Sequence, residues 1–198
     1  MRMFTPFPMN TLRFINLSLI LLLLTTACAS TTYPRRDPTG EVFPSITVTP
    51  LDGGVKSFPE VFRGEPVLVF VGYQQRSQFD IDRWLIGVTQ VDLPVKFVEL
   101  PTIAGMVPSL IGDLIDSGMR SGIPSELWGG VMTVYDDAEA VQQFTGTENG
   151  LPSRVMLLDA EARVVYFHDR GFSPLELKKL QTLLLSVDRR PGVVVPPQ

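Results

Sequence analysis

The spacing of apolar residues changes several times along the chain, and each change marks an element. From Phe14 to Leu24, after Arg2 and Arg13, the residues are almost all apolar. The run is too short to span roughly 30 Å of hydrocarbon as a mature helix and suits the core of a cleaved signal segment. From Ala29 to Pro44 there is no apolar period, only Ser, Thr, Pro and the pair Arg35-Arg36. That composition reads as a solvated tether. Ser45-Ile46-Thr47-Val48-Thr49 then alternates and predicts a strand that turns at Leu51-Asp52-Gly53-Gly54. Pro66 to Val71 is continuously apolar between Gly64 and Gly72, the pattern of a central strand buried on both faces.

Ser77 offers an N-cap, with Asp80 completing a capping box, for a helix carrying Ile81, Trp84, Leu85 and Val88. Val95 to Leu100 predicts a second strand, stopped by Pro101. Val107, Leu110, Ile111, Leu114 and Ile115 fall on one helical face, and Gly118, Gly122 and Pro124 end that helix. Val131 to Tyr135 predicts a third central strand. Asp136 or Asp137 caps a short helix with Val141 and Phe144, closed at Gly146. Val155 to Leu158 and Val164 to Phe167 form a hairpin across Asp159-Ala160-Glu161-Ala162. Ser173-Pro174-Leu175-Glu176 opens a last helix that turns Leu177, Leu180, Leu184 and Val187 inward. The expected layout is a leader over 1–27, a tether over 28–44, one α/β domain over 45–189 and a Pro-rich tail over 190–198.

Composition narrows the chemistry. With 17 Lys+Arg against 21 Asp+Glu the chain carries a net charge of −4 and no basic block, so a nucleic-acid partner is not expected. One Cys excludes an internal disulfide and a two-thiol redox cycle. One His excludes a multi-His zinc site. There is no phosphate loop and no dinucleotide fingerprint, so no cofactor is expected. His168 reads as a strand-end residue, Asp80 and Asp82 as acids favouring a helix start, and Asp136-Asp137 as a cap rather than a cation site.

The segment Leu24-Thr25-Thr26-Ala27-Cys28 resembles the lipobox of bacterial lipoproteins, although Thr25 stands where that motif usually has Leu. The resemblance implies a diacylglycerol on the Cys28 sulfur, cleavage behind Ala27 and palmitate on the mature N-terminus. Because Ala29 is not Asp, it also implies sorting to the periplasmic face of an outer membrane. The alternative is that Ala27-Cys28-Ala29 is a site for ordinary signal peptidase, which discards Cys28.

The order of elements, with the segment Gly150-Leu151-Pro152-Ser153-Arg154-Val155-Met156-Leu157-Leu158-Asp159, resembles the thioredoxin superfamily. That implies an α/β fold with a central mixed sheet and helices on both faces. It also implies a cis peptide at Pro152, which costs only about 0.5–1 kcal/mol over trans; a trans Pro opening the strand is the alternative. In that superfamily a reactive Cys stands after the central strand, where helix N-terminal N–H groups lower its pKa. Here the stretch is Gly72-Tyr73-Gln74-Gln75-Arg76-Ser77, without Cys. A distant resemblance to the thioredoxin-like assembly factor of mitochondrial ATP synthase runs from Ile123-Pro124 through Phe144 to Asp159 and Arg163. The expected site is therefore not catalytic. It is a protein-binding groove formed by Tyr73, Gln74, Gln75 and Arg76 on one side and Leu151, Pro152 and Ser153 on the other, taking an extended peptide or another envelope protein. The alternatives are a structural envelope lipoprotein and a peroxiredoxin-like or thiol-disulfide enzyme relative using other chemistry.

Overall fold

The computed structural model describes residues 32–105 and 109–188. The leader, Cys28, Val107 and the tail from Arg189 lie outside the described residues. Among the described residues there are seven strands: β1 (Ile46–Pro50), β2 (Lys56–Phe58), β3 (Val67–Gly72), β4 (Lys96–Pro101), β5 (Met132–Thr133), β6 (Arg154–Leu158) and β7 (Val164–His168). The helices are α1 (Gln78–Gln90), α2 (Ser109–Gly122), α3 (Ala138–Thr145) and α4 (Pro174–Asp188). The main sheet runs β4-β3-β6-β7, with β3 parallel to β4 and antiparallel to β6. A smaller sheet runs β2-β1-β5, and parallel bridges Glu99–Val131 and Thr102–Val134 tie its β5 end to β4.

The continuous apolar run of β3 works because both faces of the sheet are covered. Val67, Val69 and Val71 join Phe43, Val48, Phe58, Val141 and Phe144 on one side. Leu68 and Phe70 join Trp84, Val88, Leu177, Leu180 and Leu184 on the other. Thus α1 and α4 cover one face, while α3 and the N-terminal strands cover the opposite face. In a strand the side chains alternate between faces, so an apolar residue at every position specifies a central location.

Four expectations are corrected. The predicted third central strand shrinks to the two residues of β5, which joins the small sheet through Thr49–Thr133 and Pro50–Met132. On α2 the periodic residues Ile111 and Leu114 point outward, 47% and 72% exposed, whereas Asp116 is buried. The reason is polar: Asp116 accepts hydrogen bonds from the hydroxyls of Tyr135 (2.7 Å) and Thr133 (3.2 Å), which fixes that face inward. Asp137 precedes α3 without capping it; its carboxylate instead accepts the backbone N–H of Thr47 at 2.7 Å.

The fourth concerns the presumed tether, which from Tyr33 onward is part of the domain. Gly40 N–H donates to Val164 O, Val164 N–H to Glu41 O, and Phe43 N–H to Ala162 O. The Phe43 ring is 2% exposed and packs edge-on against Phe58 and Phe144, each 5.3 Å away. Tyr33 O accepts the Thr147 N–H while the Tyr33 N–H donates to Thr147 Oγ1, and Arg35 grips Asp169 through two bonds of 2.6 and 2.8 Å. A Cβ on Gly146, whose φ is +74°, would collide with the Pro34 carbonyl, so this close approach requires glycine.

Candidate functional site

Two turns meet at the end of β3 and the start of β6. After Gly72 the chain makes a single 3-10 turn, Gln75–Ser77, before α1 begins. Gln74, in extended conformation, opens this turn: its backbone carbonyl accepts the N–H of Ser77 at 2.8 Å, and Ser77 Oγ accepts the N–H of Gln74 at 3.3 Å. Ser77 therefore does not cap α1 with its side chain, contrary to expectation. It lies fully buried in helical conformation, and its hydroxyl also donates to Gly150 O at 3.4 Å. The two predicted sides of the groove are thus in contact, through Ser77 and Gly150 and through Gln74, whose amide lies against Gly150.

Tyr73 turns inward. Its hydroxyl donates to Val141 O (3.1 Å) and shares a short hydrogen bond with Thr145, and burial pushes the phenol pKa up to about 12. Its ring stacks against the Arg154 guanidinium at 5.4 Å. Gln74, Gln75 and Arg76 are exposed, as is Leu151 at 40%. Pro152 is half-buried and Ser153 is buried. The surface these residues present is therefore Gln75, Arg76 and Leu151, with Phe79 (69% exposed) beside them.

The Leu151–Pro152 bond is trans, which corrects the expectation of a cis bond; the cis X-Pro bond recorded is Phe58–Pro59. The turn is organised by side chains instead. Arg154 donates from Nη1 to Pro152 O (2.7 Å) and from Nη2 to Gly146 O and Asn149 O (both 2.8 Å), drawing three carbonyls around one buried cation. Asn149 Oδ1 accepts the Leu151 N–H at 3.2 Å. That donor is therefore not free to pair with an added strand, so recognition here depends on side chains.

Sequence reasoning missed the residue that joins these parts. Asp80, in the first turn of α1, accepts Ser153 N–H (3.0 Å) and Ser153 Oγ–H (2.6 Å) on Oδ2, and Phe172 N–H (2.6 Å) on Oδ1. A helix-start acid normally balances the helix dipole; here it clamps the entry to β6 and the loop before α4. Its partners lie 73 and 92 residues away, so no local pattern points to them. Gln78 donates to both Asp82 (3.0 Å) and Glu99 (3.2 Å), and burial raises the Glu99 carboxyl pKa. His168 ends β7, with Nε2 2.8 Å from Gly171 O and its ring edge-on to Trp84.

A central mixed sheet is thus flanked by helices, with a turn–helix unit behind its middle strand and a Pro turn facing it. Solved structures share this overall fold. The chain is similar to a thiol peroxidase from Chromobacterium violaceum, at 13% identity and a TM-score of 0.54, over 80% of this chain and 92% of that one. It is also similar to a SCO1/SenC family lipoprotein from Bacillus anthracis, at 11% identity and a TM-score of 0.53, over 79% of this chain and all of that one. The fold is thioredoxin-like. Identities this low carry the fold and nothing finer. No protein-family model matches the chain, and no curated protein does.

Proposed function

We propose that this thioredoxin-like domain is a redox-inactive binding module of the bacterial cell envelope, lipid-anchored at Cys28, that binds or helps assemble another protein. The observation that carries this reading is the composition and bonding of the turn after β3. In place of a thiol it holds Gln74, Gln75, Arg76 and Ser77, and the only Cys of the chain is Cys28. Ser77 and Tyr73 are committed to internal hydrogen bonds, which leaves Gln75, Arg76 and Leu151 to meet a partner. An arginine and a leucine flanked by amides favour an extended segment carrying an acidic and an apolar side chain. Among the described residues no helix is long and apolar enough to cross a membrane, so attachment in this reading rests on the lipid at Cys28.

The test is capture of envelope proteins by the membrane-bound chain after photocrosslinking from position 75 or 151. The expected result is one dominant partner, lost in Arg76→Ala while the thermal midpoint stays unchanged. Equal capture by Arg76→Ala refutes the groove reading and favours a structural lipoprotein, a role that suits the internally bonded Tyr73, Ser77 and Ser153. Thiol-dependent peroxidase or reductase turnover above a blank refutes the redox-inactive reading.

A further inference from the structure

The geometry points to a phosphate-binding site in the cavity of about 310 Å³ lined by Arg35, Asn149, Pro152, Arg154, Asp169 and Arg170. An acidic chain here gathers three guanidinium groups around one carboxylate. They arrive from three separate segments: Arg35 from the docked N-terminal stretch, Arg154 from β6 and Arg170 from the turn after β7. That carboxylate is already taken, because both Asp169 oxygens accept from Arg35.

Arg154 is therefore a buried cation, 2% exposed, that makes no hydrogen bond to a carboxylate and shares the charge of Asp169 with Arg35 and Arg170. Its Nη atoms bond only to carbonyls, and its Nε has no hydrogen-bond partner among the described residues. A charge removed from water is costly, and burial lowers this guanidinium's pKa even though Tyr73 and the shared Asp169 act to raise it. Three guanidinium groups against one carboxylate leave the lining with excess positive charge, which an anion in the cavity offsets. Arg170 at the rim is exposed and interacts with Asp169 only through space, so its guanidinium can bond a ligand directly. Arg35 keeps Nη1 unused, since only Nε and Nη2 meet Asp169. A tetrahedral oxyanion offers acceptor oxygens in several directions, which matches cations converging from three segments better than a planar carboxylate does. Glu148, which accepts the Arg35 backbone N–H at 3.3 Å, lies outside the lining.

The phosphate has two possible sources: a soluble phosphate, or the headgroup of an anionic lipid. The headgroup source rests on the Cys28 anchor proposed above; the site itself is independent of the groove reading. Five Cα steps separate Cys28 from the docked Tyr33, and at about 3.3–3.6 Å per residue they reach about 18 Å at most.

The experiment uses the intact protein in nonionic detergent, 15N-labelled, and follows the arginine Nε–H resonances. Inorganic phosphate should shift the Arg35 and Arg154 signals saturably, while chloride at matched ionic strength should not. Arg170→Gln should weaken that binding about ten-fold with an unchanged thermal midpoint, as expected for loss of a charged hydrogen-bond donor. Saturation by micelles doped with phosphatidylglycerol assigns the site to the headgroup. Saturation by inorganic phosphate alone assigns it to a soluble ligand. Failure of both probes to saturate, or unchanged affinity in Arg170→Gln, overturns the proposal.

Discussion

Removing the Asp80 carboxylate should loosen both turns of the candidate site at once. Asp80 accepts three hydrogen bonds, from Ser153 N, Ser153 Oγ and Phe172 N, all between 2.6 and 3.0 Å. Hydrogen bonds to a charged group contribute about 1.5–3 kcal/mol each. Ser153 is 1% exposed, and in the intact protein its N–H relies on the Asp80 carboxylate for a partner. The carboxylate itself is half-exposed and already well solvated in the unfolded chain, which offsets part of the gross value. We expect Asp80→Ala to cost about 3 kcal/mol, near the upper end for single substitutions. For a domain of this size that lowers the melting temperature by about 6–12 °C. Ser153→Ala removes only the hydroxyl bond and should cost about 1 kcal/mol, with the double variant less destabilised than the sum of the two. The assay is urea unfolding with the m-value fitted for each variant. If Asp80→Ala shifts stability by less than about 0.5 kcal/mol at constant m, the clamp is not a stabilising element and this account of the site fails.

Phe43→Ala should cost about 3–5 kcal/mol in the same assay, because the docked N-terminal segment fills the core; a solvated tether would give a value near zero. Glu99→Gln should be more stable than the parent at neutral pH. Its carboxyl pKa is raised by burial, so the parent's stability is fully present below the unfolded-state pKa and falls as pH rises through the folded-state pKa. The gap between the two proteins should therefore close on acidification, and a gap that widened would refute the assignment. Pro152→Ala, at a trans bond, should lose only about 0.4–1 kcal/mol through the freer unfolded chain. Cys28→Ala should abolish labelling with radioactive palmitate; retained label places the lipid elsewhere.

Local pattern identified the elements that local physics controls. The apolar run over Pro66 to Val71 and the Ser173-Pro174 start of α4 were legible because burial and capping leave a short-range trace. Ser173 Oγ does accept the Glu176 N–H, at 3.4 Å. The stripe on α2 was legible as a stripe but not in its direction: periodicity places Ile111 and Leu114 together without saying which face a partner covers. Tyr135 and Thr133 decide that by holding Asp116 inward from 17 to 19 residues away. The stretch from Tyr33 to Pro44 was misread for a related reason. Its composition is that of a linker, yet one aromatic, Phe43, and a few backbone bonds to Ala162 and Val164 are enough to dock it.

The polar framework of the site follows from the same distinction. Arg154 occupies a β6 position paired with Val71, in a strand whose remaining residues are apolar. An arginine there is tolerated because three carbonyls and the Tyr73 ring receive it, and those acceptors exist only once the Gly146–Pro152 turn has closed. The turn closes in part because Arg154 collects its carbonyls, so the strand residue and the turn specify one another. In such an arrangement a cis peptide is not required to shape the turn, which is consistent with the trans bond at Pro152. The same mutual dependence leaves the guanidinium hydrogen-bonded to dipoles alone, with Asp169 shared among three arginines. Whatever the cavity beside it receives, the electrostatics favour an anion.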